Sequence, residues 1–183
     1  MTLTCADPDT SDYSIRPMRA GEEAALFEID IGASILFADV GIAEIAAISD
    51  ASDGSPDDFL DKLSVCEVIV ACDFDDRPVG FTAFDQLDGG IYIRELGVLP
   101  QHARRGLGSA LLDAVLQRGR ALHAGRCVLS TFRDVAFNAP FYRRYGFAEL
   151  PMDEASAVLH RRFEAEVPEG TRPELRLLMM KAL

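Results

Sequence analysis

The sequence predicts an α/β domain: a mixed, mainly antiparallel sheet flanked by helices. Three observations carry that expectation. First, apolar and β-branched residues stand in short runs at 67–72, 78–84 and 91–98. They are separated by Asp73-Phe74-Asp75-Asp76-Arg77 and Asp88-Gly89-Gly90, turn chemistry that folds consecutive strands into an antiparallel meander. Second, the apolar period changes from strand to helix across residues 98–112. Ile91, Ile93, Leu96 and Val98 precede the change, and Leu107, Ala110, Leu111, Ala114 and Val115 follow it at helical spacing. Third, residues 129–147 again read as strand, loop and short helix. There Asn138 is suited to cap, Pro140 to enter a first helical turn and Gly146 to end the helix in a left-handed conformation.

The other elements follow from the same rules. Residues 13–17 read as an opening strand, and a helix is expected from about residue 21. Ala24, Leu26, Phe27 and Ile31, then Ile42, Ile45, Ala46 and Ile48, have helical spacing that breaks at residues 39–41. The Ser-, Asp-, Gly- and Pro-rich residues 50–58 predict a loop, followed by a short helix through Phe59, Leu60 and Leu63. A helix is expected over residues 154–166, turning Val158, Leu159 and Phe163 inward, and a last strand around residues 177–180. Residues 1–12 are expected to be a flexible tail and residues 13–183 a single domain. A chain of 183 residues with 49% hydrophobic and 26% charged content can bury its own core.

Charge narrows the partners. With 30 acidic against 18 basic side chains the net charge is −12, which repels nucleic acid and anionic lipid. No apolar run approaches a membrane span and the N-terminus holds Asp7, Asp9 and Asp12, so a cytoplasmic protein is expected. Cys5, Cys66, Cys72 and Cys127 lack zinc or disulfide spacing and are expected to be buried, reduced thiols. His102, His123 and His160 stand apart from other ligand types, and no metal is expected.

The turn joining the third strand to its helix is built to hold phosphate. Gly106 and Gly108 let the backbone close around an anion, and the free amides and dipole of the first helical turn favour its charge. Arg104 and Arg105 add countercharge. A dinucleotide fingerprint would need Gly or Ala where Leu111 stands, and a P-loop would need a Gly-Lys-Ser/Thr that occurs nowhere.

Together, and in this order, the phosphate turn and the Asn138…Phe141-Tyr142…Gly146-Phe147 segment resemble the Gcn5-related N-acetyltransferase (GNAT) superfamily. The first resembles its acetyl-CoA pyrophosphate loop, and the second its Asn…Phe-Tyr…Gly-Phe signature, whose Tyr lies beside the cofactor sulfur. Two positions depart from the family pattern: Ala103 stands where Gln or Arg is usual, and Val135 where the helix-start Asn is usual. The resemblance implies a sheet splayed between the strands ending near Val98 and beginning near Cys127. It implies acetyl-CoA as co-substrate, on Leu96, Gly97 and Val98 along the pantetheine arm, on Ala103, Arg104, Arg105, Gly106, Leu107, Gly108 and Ser109 at the phosphates, and on Asn138 and Tyr142.

The implied reaction is acetyl transfer to a primary amine by direct attack in a ternary complex. An alkylamine with a pKa of about 10.4 must first lose a proton, at a cost of about 4 to 5 kcal/mol at neutral pH. Glu95 is the first candidate base, because strand alternation sends it to the face opposite Leu96, where the resemblance places the acceptor. Asp134, at the end of the next strand, is the second; alternatively Glu95 is a salt-bridged carboxylate paired with Arg94 or Arg133. Tyr142 is the expected donor of the proton to the departing thiolate. A backbone amide near residues 96–98 would hold the oxyanion, and Gly97 suits a close ligand approach. The acidic net charge favours a small cationic acceptor. A protein N-terminus or lysine, and a non-catalytic acyl-CoA sensor, are the alternatives; Tyr142 favours the enzyme, since binding alone does not need its phenol. The resemblance also admits a homodimer.

Overall fold

Short runs of apolar residues form strands buried on both faces, and longer stretches with helical spacing cover the two faces of the sheet they make. The computed structural model describes residues 12–50 and 55–183. Strand β1 (Ser14–Pro17) leads into α1 (Glu23–Ser34), a 3-10 turn at Ile35–Phe37, α2 (Ala43–Asp50) and α3 (Pro56–Ser64). The meander follows as β2 (Glu67–Cys72), β3 (Pro78–Leu87) and β4 (Gly90–Val98). Then come α4 (Leu107–Ala121), β5 (Arg126–Phe132), α5 (Ala139–Arg144), β6 (Ala148–Leu150), α6 (Ala157–Ala165) and β7 (Arg176–Ala182). The seven strands lie in the order β1-β2-β3-β4-β5-β7-β6. Every neighbouring pair is antiparallel except β4 and β5, which the α4 crossover joins in parallel.

Alternation divides the core between two faces. Ile91, Ile93, Cys127, Leu129, Leu177 and Met179 point toward Leu112, Val115 and Leu116 of α4 and Ala139 and Tyr142 of α5. Their neighbours Tyr92, Val128 and Leu178 point the other way, toward Leu159 and Phe163 of α6. Val68, Val70, Phe81 and Ala83 meet Leu26 and Ile29 of α1 and Phe59 and Leu63 of α3.

The join between β4 and β5 positions the site. They pair only at Ile91↔Cys127, Tyr92↔Val128 and Ile93↔Leu129, although β4 runs on to Val98 and β5 to Phe132. Beyond Ile93 the sheet opens into a V, as expected. A β-bulge contributes to it: Phe84 faces Ile93 and Ala83 faces Glu95, leaving Arg94 as the extra residue. The narrow end is tightly built, since a Cβ on Gly90 would stand 2.8 Å from the Arg126 carbonyl oxygen. Gly90→Ala is therefore expected to push β4 from β5 and cost about 1–3 kcal/mol, read as a lower midpoint in denaturant melts.

Several expectations need correction. Strand β6 was not foreseen, because three residues are too few to show a period. The expected loop over residues 50–58 is shorter: α2 runs to Asp50, and α3 begins at Pro56 with Ser55 Oγ accepting from the Asp57 amide at 3.2 Å. Residues 51–54 of that loop, most of the expected N-terminal tail, and Cys5 lie outside the described residues. Val158 is exposed, leaving Leu159 and Phe163 as the buried face of α6. Cys72 and Cys127 are buried, but Cys66 is half-buried.

Candidate active site

At the wide end of the V the chain leaves β4 through a 3-10 turn at Pro100–His102. Ala103 is extended, Arg104 is left-handed at φ 62° and Gly106 is left-handed at φ 81°, which aims the chain into α4. The non-glycine left-handed residue costs on the order of 1 kcal/mol, so the path is held by its surroundings. The first amides of α4, from Leu107 to Ser109, have no partner within the helix and stand at the positive end of its dipole. A Cβ on Gly108 would lie 3.8 Å from both Leu96 and Phe141, so this turn abuts β4 and α5 together. Tyr145 donates its hydroxyl to Ser109 Oγ, tying α5 to the same turn. Arg104 and Arg105 are exposed, the latter 6.0 Å from the centroid of the Tyr13 ring, and Tyr13 Oη hydrogen-bonds His102 Nδ1 at 2.9 Å. Paired left-handed residues, free amides and two exposed guanidinium groups suit a diphosphate; the edge of β4 left unpaired after Ile93 suits an extended chain running from it.

The bulge sends both Arg94 and Glu95 to the α3 side, while Leu96 packs on the α4 side. Glu95 therefore lies opposite Leu96, as alternation predicts, but its partner is neither Arg94 nor Arg133. Glu95 Oε1 accepts from Lys62 Nζ of α3 at 2.6 Å. Arg94 instead approaches Asp85 at 3.8 Å, and Arg133 makes a fork to Glu149 at 2.9 Å. Asp30 of α1 joins the cluster. Burial, and then the charge of Glu95, push its carboxyl up to about 7, with Lys62 pulling the other way. Burial works against the charge of Lys62, yet Glu95 and Asp30 hold it above the ordinary lysine range.

The Asp30 carboxyl gives stability a defined pH dependence. Its pKa lies at 3.8 in the open chain and about 7 in the fold, so the fold binds its proton more tightly. The stabilisation is complete below about pH 4 and is lost as pH rises through 7. Asp30→Asn removes this titration and is expected to be more stable than the parent by about 1–2 kcal/mol above pH 7, the difference shrinking toward pH 4 in a series of thermal melts.

Tyr142 lies in the buried face of α5, with its ring centroid 5.1 Å from Phe141 and 5.7 Å from Phe147. Burial raises its phenol well above the ordinary tyrosine range, and the charges of Cys127 and Glu95 raise it further. Tyr142 packs in one cluster with Ile93 and Leu129, the last paired residues of β4 and β5, while Glu95 stands two residues further along β4 where the strands have parted. Asp134 is exposed in the turn after β5. Asn138 occupies the N-cap position of α5 without a side-chain cap; its Nδ2 donates to Thr131 Oγ1 at 2.8 Å, so the expected capping contact is replaced by a tie to β5.

Sequence reasoning missed most of the charged wall on the α6 side. Tyr92 Oη donates to Glu166 Oε2 at 2.6 Å, and the Arg162 guanidinium lies 5.3 Å from the Tyr92 ring centroid. Burial pushes the Glu166 carboxyl up to about 7. Arg162 approaches Asp85 at 3.4 Å. Asp85 Oδ1, Arg94 Nε and Arg162 Nη1 are buried without a hydrogen-bond partner among the described residues. Arg176 of β7 donates from Nε and Nη2 to Ser130 Oγ at 3.2 and 2.9 Å and lies 4.8 Å from the Phe132 ring centroid. Each of these is a charged residue inside an apolar strand or at a helix end, and that placement was the available signal.

The sequence profile of the acetyltransferase (GNAT) family matches residues 41–147. Among solved structures, the chain is similar to a GCN5-related N-acetyltransferase from Rhodopseudomonas palustris, with TM-score 0.68 and 21% identity over 93% of this chain and 95% of that one. It is similar to the PaiA N-acetyltransferase of Thermoplasma acidophilum in complex with coenzyme A, with TM-score 0.68 and 16% identity over 93% and 99%. A GNAT family acetyltransferase from Elizabethkingia anophelis with acetyl-CoA bound gives TM-score 0.63 and 17% identity over 94% and 99%. At these identities the likenesses establish the fold.

Proposed function

The chain belongs to the acetyltransferase (GNAT) family, and from that premise we propose that it transfers the acetyl group of acetyl-CoA to a primary amine of a small molecule. It is an acyltransferase, and the family's acyl donor is a CoA thioester. The observation that carries the finer reading is the parting of β4 from β5 beyond Ile93, with Glu95 on the parted strand and Tyr142 packed in one cluster with Ile93 and Leu129 where the opening begins, beside a turn suited to a diphosphate. The coenzyme A and acetyl-CoA in two proteins of the same fold support that assignment.

The residues at the V fit the donor. Arg104, Arg105 and the amides of Leu107, Gly108 and Ser109 hold its diphosphate, with Ala103 and Gly106 shaping the turn. The unpaired edge of Leu96, Gly97 and Val98 receives its extended arm, and Asn138 braces the start of α5 against β5. When bound, acetyl-CoA supplies the thioester carbonyl that the amine attacks.

Proton movements fall to the chain. The acceptor ammonium is held by Glu95, which faces the α3 side of the splayed strand, and its proton leaves to Glu95 with Asp30 as neighbour. The Asp30 carboxyl, at about 7, is matched to taking a proton near neutral pH. Lys62 keeps the two carboxyls from repelling each other. Tyr142 is protonated at neutral pH and burial raises its phenol further; it gives its proton to the leaving sulfur, and the second proton of the attacking nitrogen, acidic once the N–C bond has formed, restores the phenol. Asp134, exposed in the turn after β5, has no part in this scheme. Residues 13–183 act in this reading as one catalytic domain.

The test is release of free thiol from acetyl-CoA by the purified protein against a panel of primary amines, alcohols and thiols. Turnover with amines alone is the expected result. Turnover with none of them, or with non-amine acceptors alone, contradicts the reading.

A further inference from the structure

Arg176 is the arginine of the site that lacks an acidic partner. Arg94 and Arg162 both approach Asp85, at 3.8 and 3.4 Å. Arg176, by contrast, has no carboxylate within 4.0 Å among the described residues. Its Nε and Nη2 are both given to one neutral hydroxyl, that of Ser130, and its guanidinium is stacked on Phe132. A planar guanidinium offers its donors along edges. With the Nε–Nη2 edge fixed by Ser130, the Nη1–Nη2 edge retains donors, and Nη1 has no hydrogen-bond partner among the described residues. That is the edge geometry a carboxylate takes bidentately.

Position places this edge in the acceptor half of the cleft. Arg176 pairs in register with Phe132, past Leu129, where β5 has already parted from β4. It lies on the α6 face, since its neighbour Leu177 points to the α4 side and Ser130 and Phe132 alternate with Leu129. The same face of the sheet carries Tyr92, whose hydroxyl is given to Glu166, and, further along β4, Glu95. Burial lowers the pKa of Arg176, the mark of a cation whose lost hydration is incompletely replaced. Around the same space stand Asp30, Asp85, Glu95 and Glu166 with Lys62, Arg94, Arg162 and Arg176, and with the Asp30 and Glu166 carboxyls pushed up to about 7 the acidic side does not outweigh the basic one. A wholly cationic acceptor finds there no net attraction to match the −12 of the whole chain.

We propose that the acceptor is a small amino carboxylate, whose carboxylate docks on the free edge of Arg176 while its amine meets Glu95. This rests on the amine-acetylation reading above and narrows its substrate class. Removing the substrate carboxylate leaves a desolvated guanidinium unpaired, a loss that in comparable buried charge pairs reaches about 30-fold or more.

The experiment compares matched acceptors in one preparation: free amino acids, their carboxamides and the corresponding decarboxylated amines, each read as kcat/KM by thiol release from acetyl-CoA. The free acid is expected to be preferred over its amide by about 30-fold or more, and Arg176→Gln to reduce that preference to a few-fold, with Arg176→Lys in between. Because the readout is a ratio between substrates, loss of folded enzyme in a variant cancels. Equal or better use of amides and decarboxylated amines overturns the proposal while leaving amine acetylation intact. A preference for acids that survives Arg176→Gln overturns the assignment to Arg176. Failure of every amine form overturns both this proposal and the reading beneath it.

Discussion

Tyr142→Phe is expected to lower kcat about 100-fold while leaving the affinity for CoA unchanged, the size of effect that loss of a positioned general acid produces. The substitution removes one oxygen from a ring whose contacts with Phe141 and Phe147 the phenylalanine keeps. Folding is therefore little disturbed, and thermal melts should show it. The chemistry of the deletion is specific. A thiolate leaving at neutral pH has a reference pKa of about 8.5, and a phenol raised by burial gives up its proton only when that charge forms beside it. The same burial keeps the phenol protonated throughout the neutral range, so the parent pH profile should carry no tyrosine limb below pH 10. Steady-state kinetics with CoA binding measured alongside decides the matter. Unaltered turnover would assign the proton to water and leave Tyr142 as a wall of the cleft.

Gly106→Glu is expected to weaken acetyl-CoA binding about 100-fold, from two separable causes. Gly106 sits at φ 81°, where a side chain costs on the order of 1 kcal/mol, and it is the residue from which α4 starts. A carboxylate there also opposes a diphosphate at the positive end of the helix dipole. Gly106→Ala carries the backbone cost alone, so comparing the two by isothermal titration isolates the charge. The charge component should shrink with added salt, because the site is open to solvent. Equal affinities for the parent and the Glu variant would remove the diphosphate from this turn.

The fold was legible where periodicity was long or punctuation strong. The meander β2-β3-β4 was readable because each strand is a short run of apolar and β-branched residues and Asp-rich or Gly-rich turns separate them. Gly146 ends α5 at φ 80°, as its position after the aromatic run predicts. The phosphate turn was readable because its chemistry is local: glycines, arginines and a helix start within a few residues. The acceptor half was not, since its groups come from α1, α3, β4, α6 and β7 and meet only in three dimensions. Glu95 could be placed on a face by alternation, but its partner Lys62 depends on the packing of α3 and on a bulge with no sequence mark. Asp30 stands between Ile29 and Ile31 in an apolar helix, Arg176 opens an apolar strand, and Glu166 follows an amphipathic helix. An ionisable residue among apolar neighbours is the trace such a site leaves in a sequence.

The most direct test of the central claim is the distance between Tyr142 Oη and the donor sulfur in a crystal structure with CoA bound. The diphosphate is expected on the turn from Ala103 to Ser109, the arm along Leu96 to Val98, and the sulfur about 3 to 3.5 Å from Oη. A coenzyme bound outside the V between β4 and β5, or a sulfur more than about 6 Å from Oη with no water between, would contradict that claim.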